Sequence, residues 1–237
     1  MRKLDLGFVS LCSLLLSTTL AAGCRQKVES TDVRTSGVFP VIDVTADGSG
    51  STRVQVKLKV GGRLSNTFLD LIGDDKLTAT AGGVTKVLDA TGGAAYAATF
   101  PTETAGPYVI AFLRGADDTS APGTTVNLPA PFSVALASTE ISRATTDLAF
   151  TWSPASGSGD VDASLHGSCI DIVLETTPDD GTSTIARDRI HAPTATDACT
   201  ATLTLARTQS GEVDPAFTEG GDVTARQVRS GTFTTTP

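Results

Sequence analysis

Lysine is missing from the second half of this chain, since none occurs between Phe132 and Pro237. That half has 6 arginines against 14 acidic residues, whereas residues 24–131 have 10 basic against 11 acidic residues. An anionic surface repels phosphate backbones and anionic lipid headgroups. The charge balance therefore argues against nucleic-acid binding and against electrostatic docking on a membrane.

Sequence patterns that mark common catalytic sites are also absent. No Gly-x-Ser-x-Gly pentapeptide occurs, although a nucleophile elbow requires one. The glycine runs separate strand patterns instead of opening a helix, so they do not predict a phosphate-binding loop. His166 and His191 stand in no triad context and are interpreted as surface or turn residues. We predict that the protein is not an enzyme; an exported hydrolase with an unrecognised site remains an alternative.

No apolar run reaches the roughly 20 residues that a membrane-spanning helix needs. The stretch from Leu6 to Leu20 follows a basic start, contains serine and threonine, and leads to small residues before Cys24. A basic start, a short apolar stretch and small residues are typical of an export signal. We therefore predict that residues 1–23 are a cleaved signal peptide.

The segment Leu20-Ala21-Ala22-Gly23-Cys24 resembles the lipobox of bacterial lipoproteins, in which small residues precede an obligatory cysteine. It departs from that pattern at Ala21, where the family prefers leucine. The resemblance implies that Cys24 carries a lipid that anchors the mature protein to a membrane. Arg25 stands where the family's inner-membrane retention signal has aspartate, which implies the outer membrane, on its periplasmic or surface side. Cleavage after Ala22 by ordinary signal peptidase is the competing interpretation.

Two cysteines remain as a pair, Cys169 and Cys199, once Cys12 leaves with the signal and Cys24 is lipidated. Exported proteins meet oxidising conditions, in which an even pair normally forms a disulfide. We expect a structural disulfide and no cofactor. A zinc site built from both cysteines, His166 and His191 is the alternative, but the second pair is spaced too widely for a structural zinc site.

Alternation of apolar and polar residues dominates the chain from Gly37 onward. The clearest run, from Arg53 to Val60, predicts a half-buried strand. Turn sequences such as Gly61-Gly62 and Gly92-Gly93 separate the short runs. The 37 threonines and 19 valines suit a pleated surface better than a helix. The sequence therefore predicts an all-β protein.

The predicted organisation has three parts after the signal. Residues 24–36 are polar and are interpreted as the lipidated cysteine and a tether. Residues 37–131 and the acidic residues 132–237 each contain the number of short strands typical of a Greek-key sandwich. We expect two tandem immunoglobulin-like β-sandwich domains that meet at a proline-bounded join.

The second of these domains resembles bacterial immunoglobulin-like and fibronectin-type-III-like domains. The resemblance rests on Pro131-Phe132-Ser133-Val134 and on the run from Leu148 to Pro154. It implies that Trp152, an aromatic residue near the end of an early strand, fills the core between the two sheets.

Acidic pairs recur at turn sequences and raise the question of calcium. They are Asp74-Asp75, Asp117-Asp118, Asp179-Asp180, and Asp160 with Asp162. Calcium commonly binds such carboxylates, but aspartate also favours turns for local reasons. Convergence of two of these loops at one end of a sandwich would favour calcium.

Together these features predict a lipid-anchored cell-envelope protein with a structural or binding role. The first alternative is an adhesion module that binds a glycan or a protein, with or without calcium.

Overall fold

The structure is a computed structural model that describes residues 26–115, 118–191 and 197–237. The predicted signal peptide and Cys24 lie outside these residues. Short 3-10 turns occur at Ser30–Asp32, Thr35–Gly37 and Arg187–Arg189, and all other regular structure described is β-strand. None of the helical segments in these ranges has the length and apolar character needed to cross a membrane. The all-β prediction is confirmed.

The two longest strands, of 12 and 15 residues, are the last two of the chain. The strands of the first half are β1 (Gln26–Glu29), β2 (Val38–Ala46), β3 (Thr52–Val60), β4 (Thr67–Asp70), β5 (Lys76–Ala81), β6 (Val84–Val87), β7 (Asp89–Ala90), β8 (Tyr96–Phe100), β9 (Gly106–Leu113) and β10 (Ala121–Leu128). Those of the second half are β11 (Ser133–Leu136), β12 (Glu140–Ser142), β13 (Leu148–Ser153), β14 (Asp160–Gly167), β15 (Ile170–Pro178), β16 (Thr182–Ile185), β17 (Cys199–Ser210) and β18 (Asp222–Thr236).

The described strands form three sheets, and the largest runs through both halves of the chain. Its order is β1-β4-β3-β2-β18-β17-β14-β15, with β7 and β8 joined beside β3 and with β12 beside β18. The other two sheets are β10-β9-β5-β6 and β11-β13-β16. The long strand β18 links the halves, because it pairs in parallel with β2 and antiparallel with β17.

The first hydrophobic core lies between the β2–β3 part of the large sheet and the sheet β10-β9-β5-β6. In β3 the residues Val54, Val56 and Leu58 are buried while the residues between them are more exposed, which confirms the strand predicted there. Phe217 and Val223, from the last part of the chain, also belong to this core. Residues beyond position 131 therefore complete the first core. The division at residue 131 into two tandem domains stays a prediction.

The second core lies between the sheet β11-β13-β16 and strands β14, β15, β17 and β18. Trp152 is 3 % exposed in this core, and its ring lies 6.0 Å from that of Phe150. Side chains from two facing sheets interdigitate here, as in a β-sandwich. The core position expected for Trp152 is confirmed.

The expected tether is wrong for the described residues 26–36. Strand β1 pairs in parallel with β4, from Gln26 opposite Thr67 to Glu29 opposite Asp70. Ser30 and Thr35 are 0 % and 1 % exposed. The polar composition of this segment suggested solvent exposure, but buried polar groups are tolerated where each finds a hydrogen-bond partner. Here the partners come mainly from one arginine.

Candidate functional site

The residue that fixes the N-terminal segment is Arg114, which directly follows β9. Its guanidinium forms ion pairs with Asp75 at 2.9 Å and with Asp118 at 2.7 Å. The side chain of Arg114 is 3 % exposed and that of Asp75 is 5 % exposed. The planar group also lies over the ring of Phe112, 4.9 Å from its centroid. Planar stacking with paired carboxylates is a geometry that arginine provides and lysine does not.

The same guanidinium donates hydrogen bonds to three groups of the N-terminal segment. Nη2 donates to the Ser30 carbonyl at 2.7 Å, and Nη1 donates to the Val33 carbonyl and to the Thr35 hydroxyl at 3.1 Å each. The Thr35 amide donates in turn to Asp118 at 3.1 Å. We call Arg114, Asp75, Asp118 and these three groups the Arg114 clamp. The clamp holds residues 30–35 against the end of the first core.

Further hydrogen bonds tie this segment to its surroundings. The Ile72 amide donates to the Ser30 hydroxyl at 3.1 Å. The Thr218 hydroxyl donates to the Ser36 carbonyl at 2.9 Å, which connects the segment to the C-terminal part of the chain. The N-terminal segment is therefore an integral part of the folded protein.

The clamp also answers the question of calcium at two of the acidic pairs. Asp75 and Asp118 do converge at one end of the first core, beside a cavity of 610 Å³ that Asp32 and Asp74 also line. The positive charge between the two carboxylates is the guanidinium of Arg114. Within residues 26–115, 118–191 and 197–237 no group of three or more His, Cys, Asp or Glu is arranged to hold a metal ion. Asp117 lies outside the described residues.

A second buried arginine, Arg207, occupies the equivalent role in the second core. Its guanidinium pairs with Asp179 at 2.7 Å, with side-chain exposures of 6 % and 2 %. Trp152 donates from Nε1 to the same carboxylate at 2.6 Å. Burial opposes ionisation of Asp179, but the hydrogen bonds from Arg207, Trp152 and Ser156 outweigh it and hold its pKa well below the usual range.

Arg207 also fixes the join between the two halves. It donates to the carbonyls of Ala130 and Pro154 at 3.1 and 2.5 Å, and it lies over the Phe132 ring at 4.6 Å. The acidic side chain that follows Asp179 points elsewhere, since Asp180 accepts from the Thr182 amide at 3.2 Å within its own turn. These contacts are structural.

Asp160 and Asp162 lie at the start of β14, where Asp160 lines the same cavity as Asp179. Among the described residues, however, no group of three or more His, Cys, Asp or Glu is arranged there to hold a metal ion. Asp162 accepts a hydrogen bond from the Thr176 hydroxyl on the neighbouring strand at 2.9 Å. In the part of the chain that the structure describes, this carboxylate therefore has a cross-strand role.

The predicted disulfide between Cys169 and Cys199 is confirmed. It joins the hairpin end after β14 to the start of β17. The zinc alternative is excluded because both sulfurs are bonded to each other and neither thiolate is free to bind a metal.

Both histidines are exposed and lie near the same corner of the second core. His166 is in β14, while the carbonyl of His191 accepts from the Asp171 amide in β15 at 2.9 Å. Neither imidazole is hydrogen-bonded to a serine or a carboxylate within the described residues. The arrangement provides no nucleophile and base pair of the kind that acyl-transfer chemistry needs.

No family model and no curated protein matches this chain. Among solved structures, it resembles fibronectin(III)-like modules of CbhA from Clostridium thermocellum, with 11% identity over 82% of this chain and 89% of that chain, at a TM-score of 0.29. It resembles a tetra-tandem repeat from the extending region of a large adhesion protein, with 12% identity over 82% and 50% of the two chains, at 0.24.

A third similarity is to the calcium binding domain CBD12 of CALX1.1, with 10% identity over 80% of this chain and 99% of that chain, at a TM-score of 0.23. Scores this low carry no conclusion about the function of this chain.

The sequence alone did not single out Arg114, Arg207, Ser30 or Thr35. One pattern pointed to the first of these: Arg114 ends an apolar strand run and stands four residues before Asp118, with which it pairs. The contacts to the N-terminal segment join residues about 80 positions apart, so no local pattern records them.

Proposed function

We propose that this protein is a lipid-anchored, non-enzymatic protein of the cell envelope that holds a β-rich body at the outer membrane. The observation that carries the proposal is the Arg114 clamp, which fixes residues 30–35, six to eleven positions after the predicted lipid site. An anchored protein that only needed to stay near its membrane could use a flexible tether. A fixed attachment gives the body a defined orientation.

The predicted lipid site is Cys24, two residues before Gln26, where β1 begins. A stable lipid anchor takes more than one acyl chain, since each buried methylene contributes about 0.8 kcal/mol. The lipobox resemblance supplies a diacylglycerol on the thiol and usually an acyl group on the new amino terminus. The lipid then provides attachment and the clamp provides orientation.

A non-enzymatic role is supported by how the charged residues are used. The buried carboxylates of Asp75 and Asp179 are each ion-paired with an arginine, Arg114 and Arg207, so both serve as counter-ions within the fold. The two histidines have exposed positions without a catalytic partner among the described residues. The two buried ion pairs serve the packing of the protein.

The anchor is tested on the full chain by intact-mass analysis after detergent extraction from the membrane. The wild type is expected to start at Cys24 and to carry an acyl mass, whereas Cys24→Ala is expected to lack it and to leave the membrane fraction. Cys12→Ala is the matched control, because that cysteine lies in the predicted signal. A wild-type mass that matches cleavage after Ala22 without an acyl group would reject the anchor.

A second candidate function is the binding of a protein strand at β15, which lies at one edge of the largest sheet. Ile172 and Leu174 are 72 % and 69 % exposed on its face. Strands at a sheet edge can pair with an added strand. A photo-crosslinker at position 172 should give a protein adduct in intact cells, and one at position 53, which is exposed on β3 between two paired strands, should not. Equal yields at both positions would reject this site.

A further inference from the structure

A tight turn projects from the first half of the body next to the start of β1. The Gln26 amide donates to the Asn66 carbonyl at 3.3 Å, and Gln26 lies opposite Thr67 in the parallel β1–β4 pair. Residues 61–66 therefore lie beside the point where the described chain begins. Two residues of chain span at most about 7 Å, so the predicted lipid on Cys24 emerges close to this turn.

The turn presents a leucine to solvent. The Ser65 amide donates to the Gly62 carbonyl at 3.2 Å, which closes a β-turn with Leu64 at its third position. Gly61 and Gly62 have φ angles of 84° and 94°, a conformation that glycine adopts without strain. Leu64 is 94 % exposed, the highest exposure of any large hydrophobic residue described. The side chain of Leu64 is therefore placed where it can contact an apolar surface outside the protein.

The charges around the turn are nearly balanced. Lys59 donates from Nζ to the Arg63 carbonyl at 2.5 Å, and Arg63 pairs with Asp222 at 3.1 Å. Lys27 pairs with Asp70 at 2.9 Å. Glu219 approaches Gly62 from the other side. The protein as a whole is acidic, but the described residues around this turn have about as many positive as negative charges. Such a surface would not be repelled by anionic lipid headgroups.

We propose that Leu64, at the tip of the turn 61–66, inserts into the interface of the same bilayer that holds the lipid of Cys24. This inference rests on the proposed anchor. The Arg114 clamp and the β1–β4 pair fix the body relative to the chain start, and the inserted leucine supplies a second point of contact. Two contacts on one rigid body set its orientation on the membrane.

The test places a nitrobenzoxadiazole fluorophore on a cysteine introduced by Leu64→Cys in the full, lipidated chain. The protein is reconstituted in vesicles of phosphatidylethanolamine and phosphatidylglycerol. Ile172→Cys, labelled in the same way, is the matched control because residue 172 is exposed but lies in the second core's sheet. Neither change disturbs a buried contact, so both variants are expected to fold.

At position 64 the emission is expected to shift to shorter wavelength on vesicles, and lipids that carry nitroxides near the headgroup are expected to quench it. Reduction by aqueous dithionite should slow by about tenfold relative to position 172, which corresponds to about 1.4 kcal/mol. That figure lies near the lower end of the gain from burying a leucine side chain. The label at position 172 should behave as in water.

Two failures are distinguishable. An intact mass without acyl groups and no flotation with vesicles would overturn the anchor and this inference together. An acylated protein that floats with the vesicles but keeps the label at 64 in water would overturn the insertion alone. A shift to shorter wavelength without vesicles would show that Leu64 meets a protein surface, which also overturns it.

Discussion

Replacing Arg114 by methionine is the most direct perturbation of the clamp, because methionine keeps the apolar stem and removes the guanidinium. The change leaves the Asp75 carboxylate buried without a counter-ion and the Ser30 and Val33 carbonyls without their donor. Removing one partner of a buried ion pair costs about 3–5 kcal/mol. Asp118 is 23 % exposed and can be solvated, so it adds little.

Three hydrogen bonds from a charged donor to the segment would each contribute about 1.5–3 kcal/mol if fully lost. Water can reach the released carbonyls once the segment opens, so the total stays within the range for the ion pair. We therefore expect Arg114→Met to lower the free energy of unfolding by about 3–5 kcal/mol. Amide hydrogen exchange across residues 26–37 should speed up more than exchange in the second core, because local opening precedes global unfolding.

Urea unfolding and native-state hydrogen exchange measure the two effects. Arg187→Met is the matched control, since the Arg187–Asp147 pair is exposed at 3.6 Å and should contribute less than about 1 kcal/mol. Adding Asp75→Asn to Arg114→Met should recover part of the loss by removing the unpaired charge. Unchanged exchange over residues 26–37 with a loss below about 1 kcal/mol would refute the clamp and assign the segment's order to the β1–β4 pair alone.

Three further outcomes follow from other contacts. The lowered pKa of Asp179, held by Arg207 against the effect of burial, contributes stability that is fully present above pH about 4 and is lost as pH falls through the folded-state pKa. Asp179→Asn should therefore make the midpoint of urea unfolding depend less on pH below that value. An unaltered pH dependence in the variant would contradict this role. Opening the disulfide with Cys169→Ala should cost about 3–4 kcal/mol, since it closes a loop with a sequence separation of 30; a loss below about 1 kcal/mol in thermal unfolding would argue against it. Tyr96→Phe leaves the Leu71 amide without its 2.8 Å acceptor and should cost about 1–3 kcal/mol. Tyr108→Phe removes a buried hydroxyl that lies near the Thr52 side chain without a well-formed hydrogen bond, so it should cost less than Tyr96→Phe, and equal losses in calorimetry would contradict the contrast.

The sequence predicted the strands well because alternation is a local property. Arg53 to Val60 alternates in the sequence and in the burial of β3, and Trp152 lies in a core as an aromatic strand residue should. The disulfide followed from the predicted export of the protein and from the cysteine count. Each of these inferences used residues close together in the chain or a property of the compartment.

The N-terminal segment could not be predicted in this way. Its polar residues carry no periodicity, and their partners Arg114 and Thr218 stand far away in the sequence. The pairing of β18 with β2 joins residues from opposite ends of the chain, which makes the first core depend on residues such as Phe217. Non-local contacts of this kind are decided by packing, and composition alone suggested a tether.

Arginine side chains, and not a bound metal ion, neutralise the carboxylates of Asp75, Asp118 and Asp179. Calcium bound between loops would make their order depend on the concentration of the ion. The guanidinium groups of Arg114 and Arg207 supply a positive charge that is part of the chain itself. The clamp beside the predicted lipid site and the join between the halves are therefore held without an external ligand. That independence fits the proposed role, in which the body keeps a fixed orientation on its membrane, because the segment on which the proposed orientation depends is held by the chain's own charges.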